Sequence, residues 1–316
     1  MPHPTRAIDT RPILIVGAAR SGTTLLQYML RSHPDVSLPT SESHFFIPFY
    51  ERQDEFGDLT QLKNIQHLLD EIYHAHRYFF DENMHGLNFN AIQLAAEIHH
   101  ANITTIPNII SFIFQKNATA EGKTRWGDKT PYYALHLETL LEMFPNAQVV
   151  HLIRDGRDCA LSMLERRWDL CIFNYYHAAY TWNKYVRAGK AFGKKHPDHY
   201  FEIRYEDILD QPDTSIKILC EYLDIDFNQS VINFGKSDGS GKTPLLQQPL
   251  QKNNQDKWKT KLSTQQRLTF EALASETLQG CGYAVLEPKP ILSRIAWFIN
   301  EVHIRLCQSY NKHFKS

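Results

Sequence analysis

Residues 17–24 read GAARSGTT, which places two glycines, one guanidinium and three hydroxyls in a stretch that could wrap an anion. An apolar run, PILIV at residues 12–16, precedes it, and Leu25, Leu26, Met29 and Leu30 follow on one helical face. A strand, a glycine turn and a helix in that order make a phosphate cradle, because amides at a helix N-terminus face the ligand and the helix dipole favours negative charge. The spacing of Gly17 and Gly22 matches a Walker A loop, but Thr23 stands where that loop needs lysine. That argues against a nucleotide triphosphatase. The cation lies inside the loop instead, at Arg20, whose planar fork can hold a phosphate or sulfate through two hydrogen bonds. The plainer reading is a strand–turn–helix with glycines for close packing.

Three further stretches carry chemistry. In HLIRDGRDCALSML, residues 151–164, an apolar strand runs out at Arg154 and a helix begins that carries Ser162, with Arg166 four residues on. Ligands in open α/β sheets bind at strand ends, so Arg154 and Ser162 can converge on one phosphate. The alternative is that Arg154 simply pairs with Asp155 or Asp158 at a helix start. In WGDKTPYY, residues 126–133, Lys129 precedes Thr130 and Pro131. Proline suits a first helical turn, where a lysine is poorly placed unless an anion lies nearby. In SESHFF, residues 41–46, Glu42 and His44 are two possible proton acceptors; alone, an exposed glutamate is usually a solvated carboxylate.

The elements that must position these residues follow from periodicity. Strands are expected at residues 12–16, 36–38, 148–153 and 200–204, and helices at 23–31, 132–144, 158–167, 173–195, 213–223 and 263–279. Residues 59–117 read as a helical insertion that shapes a substrate cleft, and residues 236–257 as a polar loop. Strands alternating with helices imply an α/β fold, a central parallel sheet flanked by helices. The 316 residues suit a single domain, with a core at about 12–285 and a tail at 286–316. With 42% hydrophobic and 22% charged residues and a net charge of −1, nothing suggests a general grip on nucleic acid or an anionic membrane. The five cysteines form no C-x-x-C pair and read as free thiols. The N-terminal segment lacks the apolar stretch of a secretory signal, and no apolar run is long enough to span a membrane, so a cytoplasmic location is expected. No metal is expected despite 16 histidines, because no ligand spacing such as HExxH is present. A homo-oligomer is compatible with the sequence.

Taken together, these motifs carry a resemblance. GAARSGTTLLQYMLRSHPDV resembles the 5′-phosphosulfate-binding motif of the sulfotransferase superfamily that uses 3′-phosphoadenosine 5′-phosphosulfate (PAPS), and VVHLIRDGRDCALSM resembles its 3′-phosphate-binding motif. IRYEDILDQP and KWKTKLSTQQ are similar to later blocks of the same superfamily, and the order of all the motifs fits. The flavour is that of the tyrosylprotein and bacterial sulfotransferases. The resemblance implies a P-loop-like nucleotide-binding fold and sulfuryl transfer from PAPS to an acceptor hydroxyl on a small molecule, glycan or tyrosyl peptide. It implies that Arg20, Ser21, Gly22, Thr23 and Thr24 cradle the 5′-phosphosulfate and that Arg154, Ser162 and Arg166 hold the 3′-phosphate. Tyr205 would lie near the adenosine, and Lys257 or Lys259 would close over the nucleotide. Glu42 would be the catalytic base and Lys129 the cation at the transferred group. His44 stands where tyrosylprotein sulfotransferases have an arginine, which leaves the acceptor open. The apolar neighbours Phe45, Phe46 and Ile47 are expected to raise the pKa of Glu42. A P-loop kinase would need a loop lysine and magnesium carboxylates, and a non-catalytic nucleotide-binding scaffold would not need Glu42 and Lys129.

Overall fold

The computed structural model describes residues 11–234, 250–286 and 288–314. The expectations for the N-terminal segment and for most of the 236–257 loop lie outside the described residues. Five parallel strands form one sheet in the order β2-β3-β1-β4-β5. They are β1 (Ile13–Gly17), β2 (Val36–Ser37), β3 (Arg125–Lys129), β4 (Gln148–Ile153) and β5 (Tyr200–Arg204). The helices are α1 (Thr23–Arg31), α2 (Phe46–Glu51), α3 (Leu62–Asn83), α4 (Ala91–His100), α5 (Ile106–Ala120), α6 (Leu137–Met143) and α7 (Gly156–Glu165). They continue with α8 (Arg167–Leu170), α9 (Tyr175–Lys195), α10 (Tyr205–Asp210), α11 (Pro212–Leu223), α12 (Trp258–Lys261), α13 (Thr264–Gly280) and α14 (Arg294–Phe314).

The period-2 pattern of β1 explains the layering. Leu14 and Val16 face an aromatic core with α2 to α6, whereas Ile13 and Ile15 face α1, α10 and α11. The chain leaves β1 toward β3 and β2, then crosses back to β4 and β5 on the other side. That reversal opens a crevice at the C-terminal ends of β1 and β4, the ordinary ligand position in such sheets.

Two expectations need correction. The sequence gives no sign of β3, because RWGDK is mostly polar, yet all five of its residues are buried. Arg125 is accommodated there by the carbonyls of Arg11 and Leu223 and the side chain of Gln148. Lys129 therefore ends a strand rather than starting a helix. The expected helix at 132–144 is broken at His136 into a 3-10 turn, Pro131–Leu135, and α6.

The insertion is helical as expected, in α3 to α5, but it contributes no residue to the cleft described below. Its Phe79, Phe80 and Phe114 instead pack behind Phe45 and Phe46, with ring centroids 5.3–6.3 Å apart. The insertion thus fixes the segment that carries Glu42. Within the tail, α14 was not expected; it docks on α9 through Tyr176 and Glu301 (2.8 Å) and buries Ile304.

Candidate active site

A cleft of about 510 Å³ opens over the C-terminal ends of the strands. Its walls include Arg20, Gly22, Thr23 and Thr24 from the β1–α1 loop, Glu42 and His44 beyond β2, and Arg154 and Ser162 from β4 and α7. Tyr205 after β5 and Lys257 before α12 complete the group. Lys129 ends β3, and its ammonium reaches the cleft wall by donating to Glu42 Oε1 at 2.8 Å. Residues at the ends of all five strands thus meet at one place.

The β1–α1 loop is shaped for close approach. Gly22 has φ 99°, and a Cβ there would lie 2.5 Å from the Tyr205 ring, so only glycine lets ring and loop stack. Arg20 also sits in the left-handed region, at φ 67°, as does His44 at φ 55°. Non-glycine residues held there cost of order 1–3 kcal/mol and cluster at functional sites. The bonds of Leu25 and Leu26 to the Gly22 carbonyl open α1, so the Thr23 and Thr24 amides precede its hydrogen-bond ladder at the cleft wall. The Ser21 side chain does not line the cleft: it is fully buried and points into the fold.

Cations gather on the other wall. Arg20 Nε donates to Ser162 Oγ at 2.9 Å. Partial desolvation, together with the charges of Arg166 and Arg154, lowers the Arg20 pKa, as expected for guanidinium groups that share a site built for an anion. Arg166 is close enough to be felt by Arg20 but does not line the cleft. Arg154 stacks over the Tyr205 ring at 4.4 Å and donates to the Asn254 carbonyl at 2.8 Å, while Asn254 Nδ2 donates to the Tyr205 hydroxyl at 2.7 Å. The Arg154 Nε is buried without a partner. Lys257 and Lys261 line the cleft, whereas Lys259 pairs with Asp256 on the surface.

The other charges of the RDGRD turn are structural. Asp155 caps α7 and accepts from Arg157, which also reaches Glu271 at 2.7 Å and stacks on Trp258 at 3.6 Å. Asp158 accepts from the Trp258 amide at 2.8 Å. This network pins the C-terminal block, including Lys257, against α7 and the cleft. The salt-bridge reading thus holds in part: Arg154 Nη2 lies 3.9 Å from Asp158 Oδ2 and Asp155 pairs with Arg157 instead, while Arg154 also lines the cleft.

Glu42 is gripped from two sides, by Lys129 on Oε1 and by His44 Nε2 on Oε2 at 2.9 Å. Burial pushes its pKa up, but the His44 hydrogen bond and the Lys129 charge outweigh burial and bring it down to about 2. This reverses the expected rise. The apolar neighbours are visible in the sequence, whereas the two partners converge only in the fold. Residues 40–45 form an irregular turn rather than a strand, so Glu42 and His44 meet through the left-handed turn at His44.

Beneath them lies Asp128, with neither carboxylate oxygen in a well-formed hydrogen bond. Burial pushes its pKa up to about 6, offset in part by the hydroxyls of Thr130 and Ser43 and by the Lys129 charge. The native protein thus holds this proton up to about pH 6, while the unfolded chain releases it near 3.8. Stability falls as pH rises through that window, by about 3 kcal/mol in all. Asp128→Asn should therefore stabilise the protein by about that much at pH 8 and by little at pH 4, measured by urea unfolding. An equal effect at both pH values would contradict this.

The sequence does not single out Tyr132, Leu161, Leu170 and Tyr185, which also line the cleft, Tyr132 and Tyr185 of them near His44 and Glu42. They come from separate elements and share no local pattern.

The sulfotransferase family model matches residues 12–229, more than half of the chain and every strand of the sheet. The chain belongs to the sulfotransferase family. It is 24% identical over 238 residues to protein-tyrosine sulfotransferase 1 of Danio rerio, a match that covers 73% of this chain and 59% of that protein. The match to the protein-tyrosine sulfotransferase of Drosophila melanogaster is 23% identical and covers 70% of this chain and 39% of the relative. This sulfotransferase therefore spans less than two thirds of those relatives' length. Its fold is that of the sulfotransferase domain of the Synechococcus PCC 7002 olefin synthase, with a TM-score of 0.62, 23% identity, and coverage of 90% of this chain and 98% of that one. No helix among the described residues is long and apolar enough to cross a membrane.

Proposed function

We propose that this sulfotransferase moves the sulfuryl group of PAPS onto an acceptor hydroxyl, using Glu42 as base. The observation that carries the reading is the convergence of the anion loop, the Arg154–Ser162 wall and the Lys129–Glu42 pair on one cleft. Arg20, Thr23, Thr24 and the opening amides of α1 hold the 5′-phosphosulfate. Arg154 and Ser162, with Arg166 adding charge, hold the 3′-phosphate; Tyr205 flanks the nucleotide and Lys257 closes over it. Glu42 takes the acceptor proton as the hydroxyl oxygen bonds to sulfur, and the bond from sulfur to the bridging phosphate oxygen breaks. Negative charge grows on that oxygen, which leaves as part of 3′-phosphoadenosine 5′-phosphate (PAP). Lys129, Arg20 and the loop amides meet this charge. As Lys129 turns to the sulfuryl oxygens it releases Glu42, whose pKa then rises toward a useful value for a base. Tyr132 and Tyr185 give the acceptor end an aromatic lining, which suits a hydroxyl on a flat or apolar group. A kinase reading lacks support, since the first loop holds no lysine.

Labelled PAPS offered with phenols, alcohols, glycans and tyrosyl peptides should give stoichiometric PAP and a sulfated acceptor without added metal; phosphate transfer from ATP in the same panel would oppose the reading. Arg154→Ala should weaken PAP binding by about 2 kcal/mol, roughly thirtyfold, because the cleft is open to water and the charge pair only partly desolvated. Calorimetry that finds unchanged PAP affinity would remove Arg154 from the 3′-phosphate site.

A further inference from the structure

Away from the cleft, three residues with metal-binding side chains converge where α14 lies on α9. His177 stands in the first turn of α9, and His303 and Cys307 lie one turn apart on the same face of α14. One ligating atom from each lies within 4.8 Å of the other two. His177 is 7% exposed, and its Nδ1 is buried without a hydrogen-bond partner. The Cys307 sulfur is 3.8 Å from His303 Nε2. A buried imidazole nitrogen with nothing to bind costs free energy, and a second imidazole with a thiol beside it is an unusual way to leave it.

We propose that His177, His303 and Cys307 bind a zinc ion that fastens the C-terminal helix to α9. Two imidazoles and a thiolate are a zinc-type donor set, and tetrahedral coordination with bonds of about 2.0–2.3 Å places neighbouring donors about 3.3–3.6 Å apart. Closing from 4.8 Å needs a shift of roughly 1 Å or less per donor, within side-chain adjustment of residues on two helices. Cys307 gives up its proton on binding, and the fourth position falls to water. The consequence is mechanical. Apart from this cluster, the described residues hold α14 to α9 by a few polar contacts, Tyr176 to Glu301 and Asn174 to Asn300 among them. Its outer face leaves Ile295, Phe298, Ile299 and Leu306 at 60–75% exposure. A metal staple holds in place a helix that apolar burial alone grips weakly. Because α9 also carries Tyr185 to the cleft wall, the staple braces an active-site helix from behind.

Cobalt(II) is the probe. The full chain, freed of metal by a chelator and titrated with cobalt, should bind one ion and show both thiolate-to-cobalt charge transfer and the strong visible bands of tetrahedral cobalt. Zinc should displace it. Cys307→Ser, at a half-exposed position, should abolish the charge-transfer band, and His177→Asn should weaken cobalt binding at least tenfold, each with an unchanged circular dichroism spectrum. Trypsin should cut after Arg294 or Arg305 faster in the metal-free protein than in the zinc form. Absence of a thiolate–cobalt band in the wild-type chain, or a band that persists in Cys307→Ser, would overturn the proposal.

Discussion

Glu42→Gln should slow single-turnover sulfation by about 10²–10⁴-fold while PAP binding stays within a few-fold of wild type. The substitution keeps the shape of the side chain and an oxygen for Lys129, and removes only the ability to take a proton. A hydroxyl is a weak nucleophile at neutral pH, so loss of the positioned acceptor falls on the chemical step. The pKa of about 2 sets the free-enzyme behaviour: Glu42 is ionised across the neutral range and its titration leaves no limb between pH 5 and 8. Its two partners set that value, so its basicity in the complex depends on their moving away. His44 is half exposed and touches the Glu42 oxygen that Lys129 leaves free, which suits it to orient the carboxylate. His44→Asn should therefore lose less than Glu42→Gln. A fully active Glu42→Gln beside an inactive His44→Asn would reverse the two roles.

Lys129→Met should lower turnover by about 10²–10³-fold, the usual cost of removing one fixed donor from developing negative charge. PAP affinity should change little, because the lysine matters most once the bridging bond breaks. The substitution also frees Glu42 from one of the two influences that hold its pKa down, so the acid limb of the pH–rate profile should move to higher pH. A lysine that acted only through Glu42 would move that limb yet leave the plateau rate near wild type. Full turnover with an unmoved profile would exclude Lys129 from the reaction.

The parts of this account that were readable from sequence are those in which local pattern and tertiary role agree. PILIV before GAARSGTT is an apolar strand feeding a glycine turn, and β1, the loop and α1 follow it closely. Arg154 and Ser162 were found for the same reason, at the end of an apolar strand and on the next helix. What escaped depends on partners distant in sequence. β3 is a strand because Ile13, Leu14 and Ile15 pair with it and distant carbonyls receive Arg125, none of which RWGDK displays. Ser21 looks identical to its loop neighbours in sequence, yet the left-handed turns on either side rotate it inward. The direction of the Glu42 shift was misread because apolar neighbours are local and ion-pair partners are not. Arg157 and Glu271, which lock the C-terminal block to α7, are likewise far apart in sequence.

The most direct test is calorimetric comparison of PAP with adenosine 5′-monophosphate, which lacks the 3′-phosphate, in wild type and Arg154→Ala without divalent metal. Wild type should prefer PAP by at least tenfold, and Arg154→Ala should lose most of that preference. Equal binding of the two nucleotides by the wild-type protein, or a preference that survives in Arg154→Ala, would contradict this.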